Sequence, residues 1–349
     1  MGLAGRTLDL ECSFGERVAL TPRAYAHRFI HEGVIESRHA LIGVAHIQDG
    51  IPLYYDAMSE AGLYMAALNF PKYAHYREVE AGKINLASAE LIPYILAGSD
   101  SLSEAESELK RVNITPNGVM GLPATALHWF ITDFSRSLVV EQTERGLEIT
   151  KNPHDVLTNS PNIDYHLTKM AEFYRLSPTN PEILEENRNK FPIYSRGMGA
   201  IGLPGDYSSS SRFVRAAFLT SNVRKFGEIN PQITENNAKI TDIFSQIGDK
   251  IAENAKKSPQ IPKNDTQSKI SSFFHLTDSL SVPYGAVLTD EGRAVYTVYT
   301  SLADPDSKTY YLTSYECRTP HAYRMVPSGK ILTFPLPREE QIKYLSLET

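Results

Sequence analysis

The chain has 349 residues, 42% of them hydrophobic and 22% charged, an ordinary globular mix that excludes a fully disordered polypeptide and allows a large buried core. Lysine and arginine total 35 against 41 aspartates and glutamates, a formal charge of −6. A mildly acidic chain lacks the clustered cations that phosphate backbones require, so no nucleic-acid partner is expected.

No apolar run reaches the length of a membrane span, and Met1 to Cys12 has no basic region followed by an apolar stretch. These features predict a cytoplasmic protein with no membrane partner. Along the chain, Ala40 to Ile47 and Gly62 to Phe70 read as strands, closed by Gln48-Asp49-Gly50 and by Pro71. Ala87 to Leu96 is apolar enough for a buried helix, and Ser103-Glu104-Ala105-Glu106 opens an amphipathic one that runs to about Val112. Ser137 to Thr143 and Gly146 to Thr150 form a hairpin, with Glu144 and Arg145 leading into the glycine. Helical spacing returns over Asp164 to Leu176 and over Ser211 to Leu219. Ala294 to Leu302, Thr309 to Glu316 and Ala322 to Val326 are Tyr- and Val-rich strands. Strands cluster and helices cluster, which predicts an α+β fold with antiparallel sheet rather than alternating βαβ units. Residues 223–269, rich in Asn, Lys, Ile and Gln, read as a surface insertion. Ile240, Ile243, Phe244, Ile247 and Ile251 give it one amphipathic helix, broken at Ser258-Pro259 and Ile261-Pro262. The functional alternative for this segment is an oligomer contact or a lid.

Motif chemistry is sparse. Gly197-Met-Gly-Ala-Ile-Gly202 has the form GxGxxG, but no buried strand precedes it and Pro204 soon interrupts any helix. Walker A, HExxH, paired CxxC and GxSxG motifs do not occur. Among the 10 histidines only His27 and His31 sit four apart, without a third ligand, so each reads as a surface or satisfied core imidazole and no metal site is expected. Two cysteines, Cys12 and Cys317, are too few for a disulfide framework and are expected to be buried free thiols.

Polar residues beside turns are more informative. Arg6 and Asp9 flank Thr7 and Leu8. In a regular strand they face opposite sides, so a bulge or turn is needed to bring them together, and the plain alternative is a weak surface ion pair. Asn69 closes an apolar strand, and Asn159 in Val156-Leu-Thr-Asn-Ser-Pro161 reads the same way. Such asparagines usually serve turns, but they can also donate to a developing oxyanion. Gly202-Leu-Pro-Gly-Asp206 runs into a Ser-capped helix with Arg212 in its first turns, where an ordinary N-cap is the simpler account.

Taken together, these segments resemble the choloylglycine hydrolase family, which contains bile salt hydrolases and penicillin V acylases. The resemblance covers nearly the whole chain. It is carried by Gly5-Arg-Thr-Leu-Asp9, Pro22-Arg23, Ala67-Leu-Asn-Phe-Pro71, Leu127-His-Trp129, Val139-Val-Glu-Gln142, Val156 to Pro161, Gly202 to Asp206 and Tyr299-Thr-Ser301, in that order. It implies an N-terminal nucleophile hydrolase: a four-layer αββα sandwich of two antiparallel sheets, here a single domain over residues 1–349. The implied nucleophile is a cysteine exposed by removal of the initiator Met, with its own α-amine relaying the proton. By the same resemblance Arg6 lowers the thiol pKa, Asp9 holds the α-amine, Asn69 and Asn159 line the oxyanion hole, and Arg212 orients the catalytic group. Leu8, Leu122 and Thr125 would lie near an apolar steroid pocket.

Asn at position 69, where penicillin V acylases often carry Tyr, tips the expected substrate toward conjugated bile salts as the small-molecule partner. A penicillin V acylase-like amidase and a catalytically inactive bile-acid-binding homologue are the alternatives. No metal or organic cofactor is implied, and a homotetramer is. The family's Met-Cys segment precedes the Gly-Arg pair by a strand and a turn, roughly ten residues, so the first strand and its cysteine are expected upstream of Met1. Cys12, whose amine is tied up in a peptide bond, and Cys317 read as structural. Residues 223–269 exceed what the family carries at that place.

Overall fold

Period-two alternation sets the architecture. The computed structural model describes residues 2–182, 193–228 and 266–338. The strands of the first half are β1 (Ala4–Leu10), β2 (Arg17–Thr21), β3 (Ala26–Phe29), β4 (Gly33–Glu36), β5 (Leu41–Gln48), β6 (Ile51–Ser59), β7 (Tyr64–Asn69) and β8 (Ile84–Ala87). Helices α1 (Leu91–Gly98) and α2 (Leu102–Leu109) follow, then β9 (Val112–Thr115), β10 (Leu127–Thr132), β11 (Ser137–Thr143) and β12 (Gly146–Lys151). The remainder carries α3 (Ile163–Met170), α4 (Ser209–Glu228), α5 (Thr266–Asp278), β13 (Val287–Leu288), β14 (Ala294–Asp304), β15 (Thr309–Ser314), β16 (His321–Arg324) and β17 (Leu332–Pro335).

Two antiparallel sheets face each other. The larger has the order β12-β11-β10-β7-β6-β5-β2-β17, and the smaller β1-β14-β15-β16 with β13 beside β14. Alternate residues of the larger sheet serve two cores. Trp129, Ile131, Leu138 and Val140 meet Leu91, Ile95, Leu102 and Leu109 of α1 and α2. The intervening positions, including Val18, Ile42, Met58 and Tyr64, meet Leu8, Tyr299, Tyr310 and Leu312 of the smaller sheet. On that sheet's outer face Leu302 packs with Ile270 and Phe274 of α5. The result is the four-layer αββα sandwich, with each fully buried large apolar side chain contributing about 1.5–3 kcal/mol.

The differences from the sequence reading have local causes. The first buried helix starts at Leu91 rather than Ala87, because Ile84–Ala87 pairs in parallel with Val112–Thr115 and Ser88–Glu90 forms a 3₁₀ turn. The next helix starts at Leu102, one residue earlier than read, since Ser101 is the N-cap and accepts from the Glu104 N–H at 3.2 Å. Helix α3 ends at Met170, where the chain tightens into a 3₁₀ turn over Ala171–Phe173. Helix α4 is much longer than Ser211 to Leu219 and takes in residues 223–228, while α5 begins at Thr266. The periodic isoleucines of the 223–269 segment lie outside the described residues. The glycine motif opens no helix: Gly197 is left-handed and only a 3₁₀ turn, Met198–Ala200, follows. Cys317 is a buried free thiol, but Cys12 is exposed, because it lies beyond β1 where the pairing with β14 has ended.

Candidate active site

A cavity of about 1500 Å³ opens between the sheets and the α4–α5 layer. Arg6, Asp9, Asn69, Asn159 and Arg212 all line it, as do Leu8, Leu122 and Thr125. The volume exceeds that of an ordinary small-ligand pocket, roughly 300–1,000 Å³.

β1 reaches the cavity by lying close against β14. A Cβ on Gly5 would sit 1.9 Å from the Ser301 carbonyl oxygen, so only glycine allows the approach. A bulge separates Leu8, opposite Tyr299, from Asp9, opposite Thr297, leaving Val298 as the extra residue. The bulge expected from the Arg6–Asp9 spacing is therefore present, but on the partner strand, and the two side chains diverge. Arg6 reaches toward the larger sheet, where Nη1 donates to the Tyr55 carbonyl at 3.2 Å and to the Ala67 carbonyl. Tyr55 is itself the bulged residue of β6, between the pairs Val44–Asp56 and Ala45–Tyr54. Burial disfavours the Arg6 cation, but Tyr299, Asp56, Tyr64 and Asp9 outweigh it and hold the guanidinium pKa above its ordinary value.

Asp9 turns to the helix layer. Its Oδ2 accepts from Arg212 Nη1 at 2.8 Å and its Oδ1 from Thr297 Oγ1 at 2.6 Å. The other arm of the guanidinium, Nη2, donates to Asn159 Oδ1 at 2.8 Å. Asn159 Nδ2 in turn donates to the Asn69 carbonyl at 3.2 Å. One hydrogen-bonded chain thus joins Thr297, Asp9, Arg212, Asn159 and Asn69 across both sheets and α4. The Arg212 fork serves two separate acceptors at once, an arrangement a lysine cannot reproduce.

The Gly202 to Asp206 turn fixes the helix that carries Arg212. Asp206 accepts from the Ser208 N–H at 2.9 Å and from Ser211 Oγ at 2.6 Å. Those serine bonds hold its carboxyl down to about 2. Arg215 Nη1 braces the same turn by donating to the Pro204 and Asp206 carbonyls at 2.8 and 2.7 Å. Asn159 differs from the sequence expectation: it sits in a loop between β12 and α3, not at a strand end. Asn69 does close β7, opposite Leu127, and is exposed.

Two buried polar groups escape sequence reasoning. Asp56, wholly buried between the sheets, accepts from the hydroxyls of Tyr299 and Tyr310, both at 2.6 Å, and of Tyr64 and Ser301, both at 3.0 Å. Its signal is a carboxylate inside an otherwise apolar strand. The second is a pair of histidines. His128 Nδ1 donates to Glu141 Oε1 at 3.0 Å, and His166 lies behind Asn159. The polar residues of β10 and β11 stand visible in Leu127-His-Trp129 and Val139-Val-Glu-Gln142. Among the described residues no three His, Cys, Asp or Glu side chains gather as metal ligands, and no helix is long and apolar enough to cross a membrane.

The cavity thus gathers a cation and a carboxylate from β1, two asparagines and a bridging arginine. The family model for linear amide C–N hydrolases, choloylglycine hydrolase family, matches residues 1–254 and 253–328, and the chain belongs to that family. Relatives carry more particular names. A bile salt hydrolase/transferase of Lactiplantibacillus plantarum is 34% identical over 97% of this chain and 94% of its own length. A conjugated bile acid hydrolase of Lactobacillus acidophilus is 32% identical, covering 88% of this chain and 86% of its own. The crystal structure of a variant of the Clostridium perfringens conjugated bile acid hydrolase superposes with a TM-score of 0.81 and 28% identity, covering 99% of this chain and 96% of the other. The penicillin V acylase of Agrobacterium tumefaciens shares the fold, with a TM-score of 0.67 at 20% identity, covering 96% of this chain and 88% of the other.

Proposed function

We propose that the protein hydrolyses the amide bond of glycine- or taurine-conjugated bile salts. The observation that carries this reading is the convergence of Arg6, Asp9, Asn69, Asn159 and Arg212 on one large cavity that Leu8, Leu122 and Thr125 also line. By the family resemblance the nucleophile is the thiol of a cysteine at the mature N terminus; neither Cys12 nor Cys317 lines the cavity. Arg6 lowers its pKa by favouring the thiolate, and Asp9 holds the α-ammonium. The sulfur attacks the amide carbonyl carbon, and the side-chain amides of Asn69 and Asn159 receive the oxyanion. Collapse breaks the C–N bond, the leaving amine takes the proton relayed by the α-amine, and water then cleaves the thioester. Arg212 keeps Asp9 and Asn159 in register through its two arms. The chain works as a single domain without a metal or organic cofactor. It acts in the cytoplasm as a homotetramer, a state supported by the family resemblance and read by light scattering.

The test is release of free taurine or glycine from conjugated bile salts by enzyme isolated from its own cell, alongside its intact mass and N-terminal sequence. Turnover with an N-terminal cysteine is the expected result; a mature chain that begins at Met1 or Gly2 excludes this mechanism. Release of phenoxyacetic acid from penicillin V without release from bile salts reassigns the substrate. Because Cys12 and Cys317 both stand outside the cavity, binding without turnover is the second reading, and it predicts saturable calorimetric binding of bile salts with no amino acid released.

A further inference from the structure

Asn159 is held from behind by its main chain as well as through its side chain. Its carbonyl oxygen lies 3.0 Å from His166 Nε2 and also accepts from Ser209 Oγ at 2.5 Å. A carbonyl only accepts, so His166 is the Nε2–H tautomer. The imidazole is wholly buried, and its Nδ1 has no hydrogen-bond partner. Its ring stacks on Phe213 at 4.8 Å, and Phe213 follows Arg212 on α4. The helix that carries His166 is fixed in turn by Glu141, which accepts from the N–H of Ile163, the first residue of α3, at 3.1 and 3.3 Å. One ring therefore touches both elements that supply the Asn159–Arg212 bond.

We propose that His166 is a positioning residue that orients Asn159 as an oxyanion donor by holding its carbonyl and bearing on the Arg212 turn, an inference that rests on the amidase reading for the oxyanion role. The ring touches no substrate. The bond from its Nε2 fixes the peptide plane from which the Asn159 side chain projects, and a displacement near 1 Å at a reacting group lowers rate on the order of 10²-fold. Burial lowers the imidazole pKa and so favours the neutral ring, against the main-chain carbonyls of Asn159 and Pro161 and with His128 and Arg212 acting in the same direction as burial.

The experiment compares wild type, His166→Phe and His166→Gln. Phenylalanine keeps the stack on Phe213 and removes the donor; glutamine returns an N–H near the same place. The expected result is a fall in kcat on the order of 10- to 100-fold for His166→Phe with KM within about twofold, and recovery to within about fivefold of wild type in His166→Gln. Thermal midpoints of the two variants separate loss of fold from loss of position. Unchanged kcat in His166→Phe overturns the proposal, as does an equal loss in both variants. If wild-type enzyme cleaves no bile salt, the amidase reading fails by itself, and crystal structures of the variants decide the positioning claim. An Asn159 peptide that turns in His166→Phe alone, so that its side chain no longer reaches the Asn69 carbonyl, upholds the claim; an unmoved Asn159 rejects it.

Discussion

Replacing Arg212 by lysine keeps the charge and removes the fork. In the native site Nη1 and Nη2 each make a 2.8 Å bond, one to Asp9 and one to Asn159. The Arg212 and Asp9 side chains are 13% and 12% exposed, so water replaces little of what is removed. A lysine has a single nitrogen, and the carboxylate of Asp9 draws it more strongly than a neutral amide. Asn159 Oδ1 then loses a charge-assisted hydrogen bond worth about 1.5–3 kcal/mol. The bond is already made in the resting enzyme, so stability falls by about the same 1.5–3 kcal/mol. If Asn159 serves as oxyanion donor, the displacement of its side chain that follows lowers kcat on the order of 10- to 100-fold. The assay is steady-state release of taurine, with urea unfolding followed in parallel. A wild-type kcat in Arg212→Lys, or a change in KM alone, refutes the reasoning, since it would mean that Asn159 needs no second anchor.

Three further outcomes follow from the buried polar groups and the layering. Tyr299→Phe removes one of the four donors to Asp56 and is expected to cost about 1.5–3 kcal/mol in urea unfolding, whereas phenylalanine at exposed Tyr284 changes nothing measurable. His27, 3% exposed, has its pKa lowered by burial to about 4. The unfolded chain binds this proton below about pH 6.5 while the folded one does not, so stability is complete above that pH and is lost as pH falls toward 4, by about 3 kcal/mol in all. His27→Phe should flatten the dependence of unfolding free energy on pH over that window, and an unaltered slope would show that His27 takes up no proton on unfolding there. Because the site draws on β1, β7, the Asn159 loop and α4, activity and the fluorescence of Trp129, the sole tryptophan, should be lost at the same urea concentration; earlier loss of activity would mean that the site opens as a separate unit.

Much of the sandwich is legible in the sequence because its strands obey the simplest rule. The hairpin of β11 and β12 falls within a residue of its expected bounds: its apolar alternation fixes the faces, and Gly146 supplies the positive φ that the turn into β12 requires. The five site residues follow from the family resemblance, and all five reach one cavity. What sequence spacing does not reveal is the partner of each. Arg6 and Asp9 look like a pair, yet they part across the strand, because the bulge at Val298 belongs to β14, nearly three hundred positions away. The histidines look scattered, and their burial depends on contacts between β10, β11 and α3 that no local period encodes. A polar residue in the middle of an apolar strand, as at Asp56, His128 and Glu141, is the available sign.

The same contacts explain why the site is spread over so many elements. The proposed amide hydrolysis draws on a cation, a carboxylate and two neutral donors at fixed separations, and no single strand or helix presents all four on one face. The sandwich resolves this by setting the end of one sheet's strand β1 against the end of the other's strand β7, with α4 crossing above both. Side chains on three rigid elements then meet with little freedom of their own, and the remaining participant, the loop bearing Asn159, is tied at both its amide and its carbonyl. The polar groups beneath the cavity serve the same end. Asp56 gathers three phenols and a serine under Arg6, while Glu141 and the two histidines brace α3 behind Asn159. The Asp56 carboxylate is desolvated and costly to leave unpaired, and its bonds to Tyr299, Tyr310 and Ser301 cross from one sheet to the other, so any displacement of one sheet against the other breaks several strong bonds at once. That steep penalty holds the separations at the cavity floor rigid, as the proposed preference for a transition state over the bound substrate requires.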